Sequence, residues 1–466
     1  MGMTRRDWLK GGAVAAVAGA TAPFAAQADA NTFWNQHRRP IGSTMTDVPS
    51  ATLAAGGKIL QPAREVPVYR TCDVLVVGGG IAGWAAAMSA AKAGRKTILV
   101  ERDESLGGLW SNGGVLILLA TGYLSNGRFT QTTRGFTDDL IKKLEAMGPM
   151  AVTGRARPNQ MYLPTADPEA LKIALEELLV EAGCEILYRC HDVDVVINGA
   201  DVKGVVVEST EGRLAILAQE TVDATGDGDV LFQAGEKYQQ YKHGIGFTYR
   251  IGGFDSFTKE AFDNARKAGL WFGGNEPCSD NRWYGMFGVS PDGKANEAHN
   301  RFDVAGVSKI MMHHRAEAWK SAADLRKVKG CEKAHLIWTA TQIGIRGART
   351  LDGVKSIDRA WAAAHLEKDD GDTVAWMGSD GASPKGSRVP LGCLLPKTAN
   401  HLTVCGRAAS CADDMIDLFR LIAPCLVTGQ AAGAASAVAS RKGVGPRDVP
   451  VKDVQKLLLE QGAYLG

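Results

Sequence analysis

One stretch, residues 72–102, constrains the fold of this chain more than any other, because it spells a strand, a glycine turn, a helix and a second strand in sequence. An apolar run at 74–77 leads directly into GGGIAG at 78–83, an alanine-rich segment follows, and a second apolar run at 97–100 ends on Glu101. This order predicts a βαβ unit whose helix N-terminus faces a diphosphate. A G-x-G-x-x-G alone would indicate much less, because glycine-rich turns also occur in other α/β proteins.

Each residue of this unit has a predicted role toward a dinucleotide. Gly78 permits the tight turn, Gly80 lets the backbone approach a pyrophosphate, and Gly83 lets the helix lie close on the sheet. Glu101 follows about 20 residues later and is placed to accept hydrogen bonds from a ribose. The predicted cofactor contacts of the unit are Gly78, Gly80, Ile81, Ala82, Gly83, Glu101 and Arg102.

Two later segments carry further motifs, D-A-T-G-D-G-D at 223–229 and a small-residue stretch at 406–433. Together with the first unit they resemble the bacterial FAD-dependent oxidoreductase family of the glutathione-reductase structural class. The residues that match the family's C-terminal motif are Gly406, Arg407, Arg420, Cys425, Gly429, Gln430, Ala431, Ala432 and Gly433. The resemblance implies FAD as the cofactor, and an α/β fold in which a Rossmann-type FAD-binding domain is interleaved with an α+β substrate domain. It says little about the substrate.

The resemblance extends the set of predicted FAD contacts beyond the first unit. A helix starting near Gly429 and Gln430 would place its positive end against the pyrimidine side of a reduced flavin, although such a helix could also serve only to pack on a sheet. The wider class has an Asp where this chain has Arg407, and Asp413 and Asp414 follow it, so either carboxylate could contact the cofactor instead; Asp414 is the one included among the predicted contacts. The added contacts are Gly108, Asn112, Gly113, Val193 (to adenine), Ala224, Thr225, Gly226, Asp227, Gly406, Arg407, Asp414, Gln430, Ala431 and Ala432.

The N-terminus reads as a twin-arginine export signal. Arg5 and Arg6 precede Trp8, Leu9 and Lys10, and a Gly/Ala/Val run then leads to small residues suited to cleavage after Ala28 or Ala30. The run is too short and too rich in Gly and Ala for a dependable membrane span. We therefore expect a periplasmic protein, exported already folded, with no stable membrane span after signal removal.

Composition is that of a soluble enzyme. Lys and Arg number 53 against 51 Asp and Glu, so bulk charge does not favour a nucleic-acid partner. The nine cysteines contain no C-x-x-C pair, which argues against a disulfide reductase. The loop at 107–114 lacks the histidine used for covalent flavin attachment in the succinate dehydrogenase group. For Cys393, Cys405, Cys411 and Cys425 we favour buried thiols, and a Cys405–Cys411 bridge or a flavin contact stays open.

The motif order predicts how the domains interleave. After the signal at 1–30 and an extended lead-in at 31–70, an FAD-binding domain spans 71–233 with a cap insertion at 115–165, a substrate domain spans 234–392, the FAD-binding domain returns at 393–440, and a tail covers 441–466. Within the first part, Asp167 caps a helix that ends at Gly183, and four strands follow at 185–188, 192–197, 202–208 and 214–222.

The substrate domain offers three candidate catalytic residues. His314 follows His313 on a predicted helix, where at most one of the two can face the flavin. Arg346 and Arg349 could clamp a substrate carboxylate or polarise a carbonyl, or form a salt bridge between domains. Six of the ten tryptophans lie between 271 and 376, and Trp283 with Tyr284 could form a wall for an aromatic or carbohydrate ring or simply part of a core.

These features predict an exported flavoenzyme that moves a hydride between a small organic substrate and FAD, with His314 or Arg346 handling the proton and no metal site. A second strand followed by G-x-G-x-x-G does not occur, so we expect dioxygen, a quinone or a redox protein as electron acceptor. One rival is a fumarate-reductase-like reductase of an unsaturated acid fed by a cytochrome, although the chain has no C-x-x-C-H motif. A non-catalytic flavin- or ligand-binding protein is the other.

Overall fold

The fold is that of a computed structural model, which describes residues 51–115, 118–153, 165–241, 243–253, 258–270, 282–287, 303–347 and 349–466. Side chains at 262 and 282–287 lie outside the described set. The predictions about the export signal, most of the lead-in and the side chains of Trp283 and Tyr284 therefore fall outside the described residues. The chain divides into two compact units, Met1–Glu65 and Val66–Gly466.

The described part of the first unit is a short antiparallel hairpin, β1 (Thr52–Ala54) and β2 (Lys58–Leu60). The second unit begins with the predicted βαβ motif, formed by β3 (Val68–Val77), α1 (Ile81–Lys92) and β4 (Thr97–Val100). The elements that follow up to the return of the chain into the same sheet are β5 (Gly122–Ser125), β6 (Arg128–Gln131), α2 (Phe136–Ala146), β7 (Val152–Thr153), β8 (Thr165–Ala166), α3 (Pro168–Glu181), β9 (Glu185–Leu187), β10 (His191–Asn198), β11 (Asp201–Ser209) and β12 (Gly212–Asp223).

The remaining elements build the second sheet and the C-terminal helices. Those before residue 350 are α4 (Asp229–Gln233), β13 (Tyr238–Gln240), β14 (Ile245–Gly252), α5 (Lys259–Lys267), β15 (Arg282–Phe287), α6 (Val304–Leu325), β16 (His335–Thr339), β17 (Gly344–Ile345) and β18 (Arg349–Leu351). The later ones are α7 (Arg359–Ala364), β19 (Thr373–Met377), β20 (Ser387–Pro390), β21 (Leu402–Val404), α8 (Ile416–Phe419), α9 (Ile422–Lys442) and α10 (Val451–Glu460).

The helix and strands predicted between 167 and 222 are confirmed. The Asp167 side chain accepts hydrogen bonds from the backbone N–H groups of Glu169 and Ala170, at 2.9 and 3.2 Å, and so caps α3. Gly183, just past the C-terminus of α3, has φ 82°, a conformation that glycine adopts without strain. Strands β9 to β12 follow within two residues of the predicted bounds.

The main sheet places the ends of its parallel strands at one level. Its order is β10-β11-β12-β3-β4-β9, with β21 also paired to β12, and the pairs β12/β3, β3/β4 and β12/β21 are parallel. Val77 pairs with Val100 and with Asp223, and Asp223 pairs with Val404. The next residue after each of these four strands therefore lies at the same edge, where ligands bind in open parallel sheets.

Helices α1 and α9 pack in very close contact on this sheet. A Cβ on Gly429 would lie 2.1 Å from the carbonyl oxygen of Ala82, and one on Gly433 would lie 2.1 Å from that of Ala86. Any larger residue at either glycine would push the helices apart. Among the described residues α9 has the length and apolar character of a membrane span, yet its apolar stretch is fully buried and only Arg441 and Lys442 at its end are exposed, as in a core helix.

The second sheet separates a cleft from a small core. Strand β14 pairs with β15, β16 and β17, all antiparallel. Phe247, Tyr249 and Ile251 on one face pack with α6, whereas Gly246 and Thr248 on the other face line the cleft described below. This alternation is the ordinary period of two along a strand.

Two expectations about the C-terminal part need correction. The helix predicted to start near Gly429 begins at Ile422, about two turns earlier, because Pro424 is accepted in a first helical turn and the apolar residues before Gly429 continue the buried face. The segment predicted as a tail contains α10, whose Val454, Leu457 and Leu458 join the main core. Segments assigned to the second domain also enter that core, through Ile357, Ala362, Val374 and Val389.

Candidate functional site

A cleft lies at the edge where the four parallel strands end. The residues that directly follow β3, β4, β12 and β21 all line it, namely Gly78, Glu101, Ala224 and Cys405. Other predicted site residues that line the cleft are Gly80, Ile81, Ala82, Arg102, Gly108, Gly113, Thr225, Gly226, Arg346, Gly406 and Arg407. Segments far apart in the sequence thus meet at one groove.

The N-terminus of α1 opens directly into this cleft. Gly80 is the N-cap and provides no side chain to cap the first N–H groups of the helix. A Cβ built on Gly80 would meet no atom within 4 Å, so the space in front of the turn is open. Uncapped N–H groups at the positive end of a helix attract a phosphate.

Glu101 closes one end of the glycine turn. Its carboxylate accepts hydrogen bonds from the backbone N–H of Gly79 at 2.5 Å and of Asp103 at 2.8 Å. Burial raises the pKa of Glu101, and these backbone hydrogen bonds oppose the rise. The side chain therefore shapes the turn in addition to facing the cleft, a structural role that sequence reasoning did not assign.

The loop after β12 is organised by a buried carboxylate. Asp223 accepts hydrogen bonds from the Thr225 N–H at 3.1 Å, the Thr225 hydroxyl at 2.7 Å and the Leu231 N–H at 2.8 Å. Burial raises the pKa of Asp223 to about 6 and that of the cleft residue Asp192 to about 7, where the charges of Asp229 and Asp223 add to the effect.

Arg407 connects the two lobes of the site, which are the main sheet with its loops and the second sheet with the segment that follows it. Its guanidinium donates to the carbonyl oxygen of Gly226 at 2.7 Å, to that of Ile345, and to the Asp227 carboxylate. Burial lowers the pKa of Arg407 to about 10, which still leaves the side chain charged at neutral pH. The position that carries Asp in the wider class therefore holds a buried Arg–Asp pair here.

The N-terminus of α9 also lines the cleft. Leu421, its N-cap, and Ile422, its first residue, both line the cleft, and no side chain caps the helix. Cys405 and Cys425 line the same region; burial raises the pKa of both thiols, that of Cys425 to about 12. Both are neutral at pH 7 and contribute apolar, polarisable surface.

The second sheet and the segment after it supply the facing wall. Gly246, Thr248, Gln342, Gly344 and Ile345 line the cleft beside Arg346. The Oε1 atom of Gln342 is buried and has no hydrogen-bond partner among the described residues. A buried amide oxygen without a partner costs free energy, so this carboxamide is suited to a bound molecule. Sequence reasoning did not select Gln342, because nothing in its local sequence distinguishes it.

Eight predicted cofactor contacts do not line the cleft. Gly83 packs α1 on the turn, since a Cβ there would lie 1.8 Å from the Gly78 carbonyl oxygen, and Asp227 acts through Arg407. Asn112 accepts a hydrogen bond from Ser105, and Asp414 is exposed and bonded to Arg359. Of the other four, Val193 follows the lining residue Asp192 in β10. Gln430, Ala431 and Ala432 lie on the buried length of α9.

His314 is fully buried away from the cleft. Its ring stacks on Phe247 with centroids 5.6 Å apart, and Phe247 lies on the face of β14 opposite Gly246 and Thr248. A strand therefore stands between this imidazole and the cleft. The expectation of a proton-transferring His314 is wrong, because the buried face of α6, on which it lies, points toward the small core.

The two candidate arginines have different surroundings. Arg349 donates to Asp229 at 2.8 Å and to the Asp227 carbonyl oxygen at 3.2 Å, and its guanidinium stacks over Phe232. It does not line the cleft, so it holds the loop in place and is not a substrate ligand; of the two predicted roles, the salt bridge is the one observed. Arg346 does line the cleft.

The described cysteines are free thiols. Cys393, Cys405, Cys411 and Cys425 are buried and unbridged, which excludes the Cys405–Cys411 disulfide and leaves Cys405 and Cys425 in the cleft. Within the described ranges no group of three or more His, Cys, Asp or Glu is arranged to hold a metal ion.

Residues 73–458 match the family described as FAD dependent oxidoreductase. The chain therefore belongs to this family: it is an FAD-dependent oxidoreductase, and FAD is its cofactor. The cleft fits that cofactor, because it combines an uncapped helix N-terminus beneath an open glycine turn, an acid after the second strand, and an unpartnered carboxamide on the facing wall.

Among curated proteins, the thiamine thiazole synthase of Aeropyrum pernix is 31% identical over 171 residues, which cover 34% of this chain and 56% of that protein. A heterodisulfide reductase-like protein of Archaeoglobus profundus is 48% identical over 58 residues, 12% of this chain and 8% of that one. The chain thus matches only about half or less of these relatives' length.

Solved structures with a similar chain course include a geranylgeranyl bacteriochlorophyll reductase-like protein of Thermoplasma acidophilum, at 16% identity with a TM-score of 0.42, covering 85% of this chain and 84% of the other. A flavin-dependent brominase aligns at 12% identity with a TM-score of 0.47, covering 84% of both chains.

Proposed function

We propose that this protein is an exported enzyme that transfers a hydride between a small organic substrate and FAD. The observation that carries the proposal is the two-walled cleft. One wall consists of the strand ends and the α1 N-terminus, and the other brings Gln342 and Arg346 from the second sheet to face it. A cofactor site that also contains a positioned cation from the second lobe is suited to bind a substrate beside the cofactor.

Bound FAD supplies the hydride acceptor or donor, N5 of its isoalloxazine ring. The α1 N-terminus and Arg102 hold the phosphates, and the uncapped N-terminus of α9 stabilises negative charge near Leu421 and Ile422. The apolar surface of Cys405, Cys425 and Ile422 excludes water from this end. These groups are fixed before substrate arrives, so little reorganisation accompanies the reaction.

Arg346 is the residue we assign to the substrate. Its backbone is held by a hydrogen bond from its N–H to the Gly244 carbonyl oxygen at 3.3 Å, and the preceding carbonyl group receives Arg407. Burial, and then the charge of Arg420, lower the pKa of Arg346. The guanidinium donates hydrogen bonds to a substrate oxygen, and we expect Arg346 to handle the proton, giving it when the substrate is reduced and receiving it when the substrate is oxidised.

The electron acceptor is proposed to be dioxygen, a quinone or a redox protein, since the sequence contains a single strand-G-x-G-x-x-G unit and so has no second nicotinamide-type domain of that kind. Anaerobic photoreduction of the bound flavin followed by addition of each acceptor tests this step. Fast reoxidation by oxygen or a quinone supports the proposal. Reoxidation by a fumarate-like acid alone would favour the reductase direction instead.

Export through the twin-arginine route is part of the proposal and rests on the sequence of residues 1–30. Arg5→Lys combined with Arg6→Lys should leave folded, FAD-loaded protein in the cytoplasm, because that route requires the arginine pair. Cell fractionation with flavin fluorescence as the readout measures this. Unchanged export of the double variant would contradict the assignment.

A further inference from the structure

Asp192 is a buried acidic residue that lines the FAD cleft. It lies on β10, its side chain belongs to a residue only 8% exposed, and the pairing of β10 with β11 shifts register between Asp192 and Asp194. Cys190, two residues earlier, also lines the cleft, as the period of two along an extended chain predicts. Val193, the residue predicted to contact adenine, does not line it.

The start of β10 lies beside the acid that the fold assigns to the ribose. The backbone N–H of Cys190 donates to the Glu101 carbonyl oxygen at 3.0 Å, and Cys190, Glu101 and Asp192 all line the cleft. In a dinucleotide-binding βαβ unit, the acid after the second strand binds the ribose of the adenosine. We therefore expect Asp192 to lie along the adenosine half of FAD.

Three other carboxylates of this region already have strong partners. Asp229, which also lines the cleft, accepts a hydrogen bond from Arg349 at 2.8 Å. Asp223 accepts three hydrogen bonds from residues that follow it in the chain. Glu101 accepts hydrogen bonds from two backbone N–H groups. Each of these groups is therefore stabilised in its ionised form.

The Asp192 carboxyl group lacks such support. Among the described residues it forms no ion pair, and the side-chain donor that reaches it is Gln233 Nε2, 3.4 Å from Oδ2, which is a weak hydrogen bond. Burial raises the pKa of Asp192 to about 7; the charges of Asp229 and Asp223 also raise it, and that of Arg102 opposes the rise. About half of the molecules therefore carry a proton on this group at pH 7.

Bound FAD favours the protonated form further. The adenosine displaces water from the cleft and the pyrophosphate adds negative charge, and both effects disfavour an ionised carboxyl group. A protonated carboxyl group has an O–H to donate, whereas adenine ring nitrogens and ribose oxygens accept hydrogen bonds. The neutral form of Asp192 is thus the form that complements the cofactor.

We propose that Asp192 binds the adenosine half of FAD as a carboxylic acid, so that the protein takes up a proton from solvent when it binds its cofactor. The FAD-bound protein then holds this proton more tightly than the free protein does. Affinity for FAD is therefore full below the pKa of the free carboxyl group, about 7, and falls as pH rises above it. This inference rests on FAD as the cofactor and not on the proposed hydride transfer.

The test starts from FAD-loaded protein. Serial dilution at pH 6, 7 and 8 releases FAD, and the increase in FAD fluorescence gives an apparent Kd at each pH. We expect the Kd of the parent to rise about tenfold from pH 6 to pH 8. Asp192→Asn keeps a hydrogen-bond donor of the same size and does not titrate, so its Kd should stay constant within about twofold.

Two further variants and one probe assign the effect to this carboxyl group. Asp194→Asn removes an exposed carboxylate of the same strand, bonded to the Val195 N–H at 2.9 Å, and should retain the pH dependence of the parent. Asp192→Ala has no donor and should bind FAD weakly at every pH, which covers the case in which Asp192→Asn does not fold. ADP-ribose, which carries the adenosine half without the flavin, should displace FAD from the parent with the same pH dependence.

A parental Kd that is constant from pH 6 to pH 8 would overturn the proposal. The same holds if the Kd of Asp192→Asn still rises about tenfold, because another group would then carry the proton. An affinity that increases with pH would also overturn it and would indicate that ionisation of Glu101 controls binding. None of these results bears on hydride transfer, which flavin reduction tests separately.

Discussion

Gly80 and Gly108 approach each other so closely that a Cβ on Gly108 would lie 3.0 Å from the Cα of Gly80. Gly107 forms a bridge with Gly80 and donates its N–H to the Gly79 carbonyl oxygen at 2.9 Å. The loop at 107–114 is thereby attached to the glycine turn, and both line the FAD cleft. The backbone at 107–108 packs against one side of Gly80, and the other side of Gly80 stays open for the cofactor.

Gly80→Val should fold and lose FAD. Gly80 has φ −62° and ψ 173°, which valine also adopts, and its side chain would project into open cleft space. We expect a melting temperature of the FAD-free protein within a few degrees of the parent, with FAD content near zero. Gly83→Val is the contrasting variant: its Cβ would lie 1.8 Å from the Gly78 oxygen, so it should fail to fold. Yellow Gly80→Val protein would contradict the placement of the cofactor.

Gln342→Leu should change stability and cofactor affinity in opposite directions. Removing the buried, unpartnered Oε1 atom stabilises the FAD-free protein, because an unsatisfied polar atom costs about 1 to 3 kcal/mol. Loss of its hydrogen bond to the bound cofactor should weaken FAD binding about three- to tenfold. Thermal melts without FAD and fluorescence titration with FAD measure the two effects. A fall in both would show that the carboxamide has a structural role.

His314→Gln should lower stability and leave the pH profile of turnover intact. The imidazole lies in a stack with Phe247 behind β14, so an amide there disturbs packing by about 1 to 3 kcal/mol without reaching the cleft. The comparison is the pH dependence of flavin reduction at matched folded fraction. Loss of one limb of the profile in this variant would restore His314 as a catalytic residue.

Glu220→Gln should stabilise the protein increasingly as pH rises. Glu220 is 1% exposed, its Oε1 lies 2.7 Å from His401 Nδ1, and burial raises its pKa to about 9. When the pKa of an acid is higher in the folded than in the unfolded protein, its contribution to stability is fully present below the unfolded pKa, near 4.5. That contribution is lost as pH rises toward the folded pKa of about 9. The free energy of unfolding of the parent should therefore fall by on the order of 1 kcal/mol per pH unit across this window, whereas that of the variant should not.

Thermal melts from pH 5 to pH 8 test this, with Asp448→Asn as a control for charge removal near His401. The melting temperatures of parent and Glu220→Gln should be similar at pH 5 and differ by several degrees at pH 8. A constant offset across the range would show that Glu220 is ionised in the folded protein at pH 5.

The sequence predicted the residues that line the cleft from the main sheet far better than those that line it from the second sheet. Gly78, Glu101 and Ala224 follow strands whose pattern is local and unambiguous, and parallel pairing then brings them together. The start of α9 was misplaced because the small residues around Gly429 signal close helix contact, which here is with α1 and not with a ring. Composition alone does not distinguish these two partners.

The sequence also did not show which side of each helix or strand faces the cleft. His314 and Arg346 are both polar residues in the second lobe. His314 lies on the face of α6 that packs in the small core, whereas Arg346 follows β17 and lines the cleft. Gln342 gave no signal because it becomes significant only beside residues far away in sequence. Long-range pairing of β14 with β16 and β17 decides which side chains face the cofactor.

The most direct test of the account is the rate at which an organic donor bleaches the bound flavin without oxygen, measured by stopped flow for the parent and for Arg346→Lys. Donors identified with the parent are used. Because lysine keeps the charge and loses the planar fork, we expect reduction to slow about 30- to 1000-fold, equivalent to about 2 to 4 kcal/mol, with FAD content and melting temperature unchanged. Reduction of Arg346→Lys at the parental rate would contradict the assignment of this cleft as the place where substrate meets FAD.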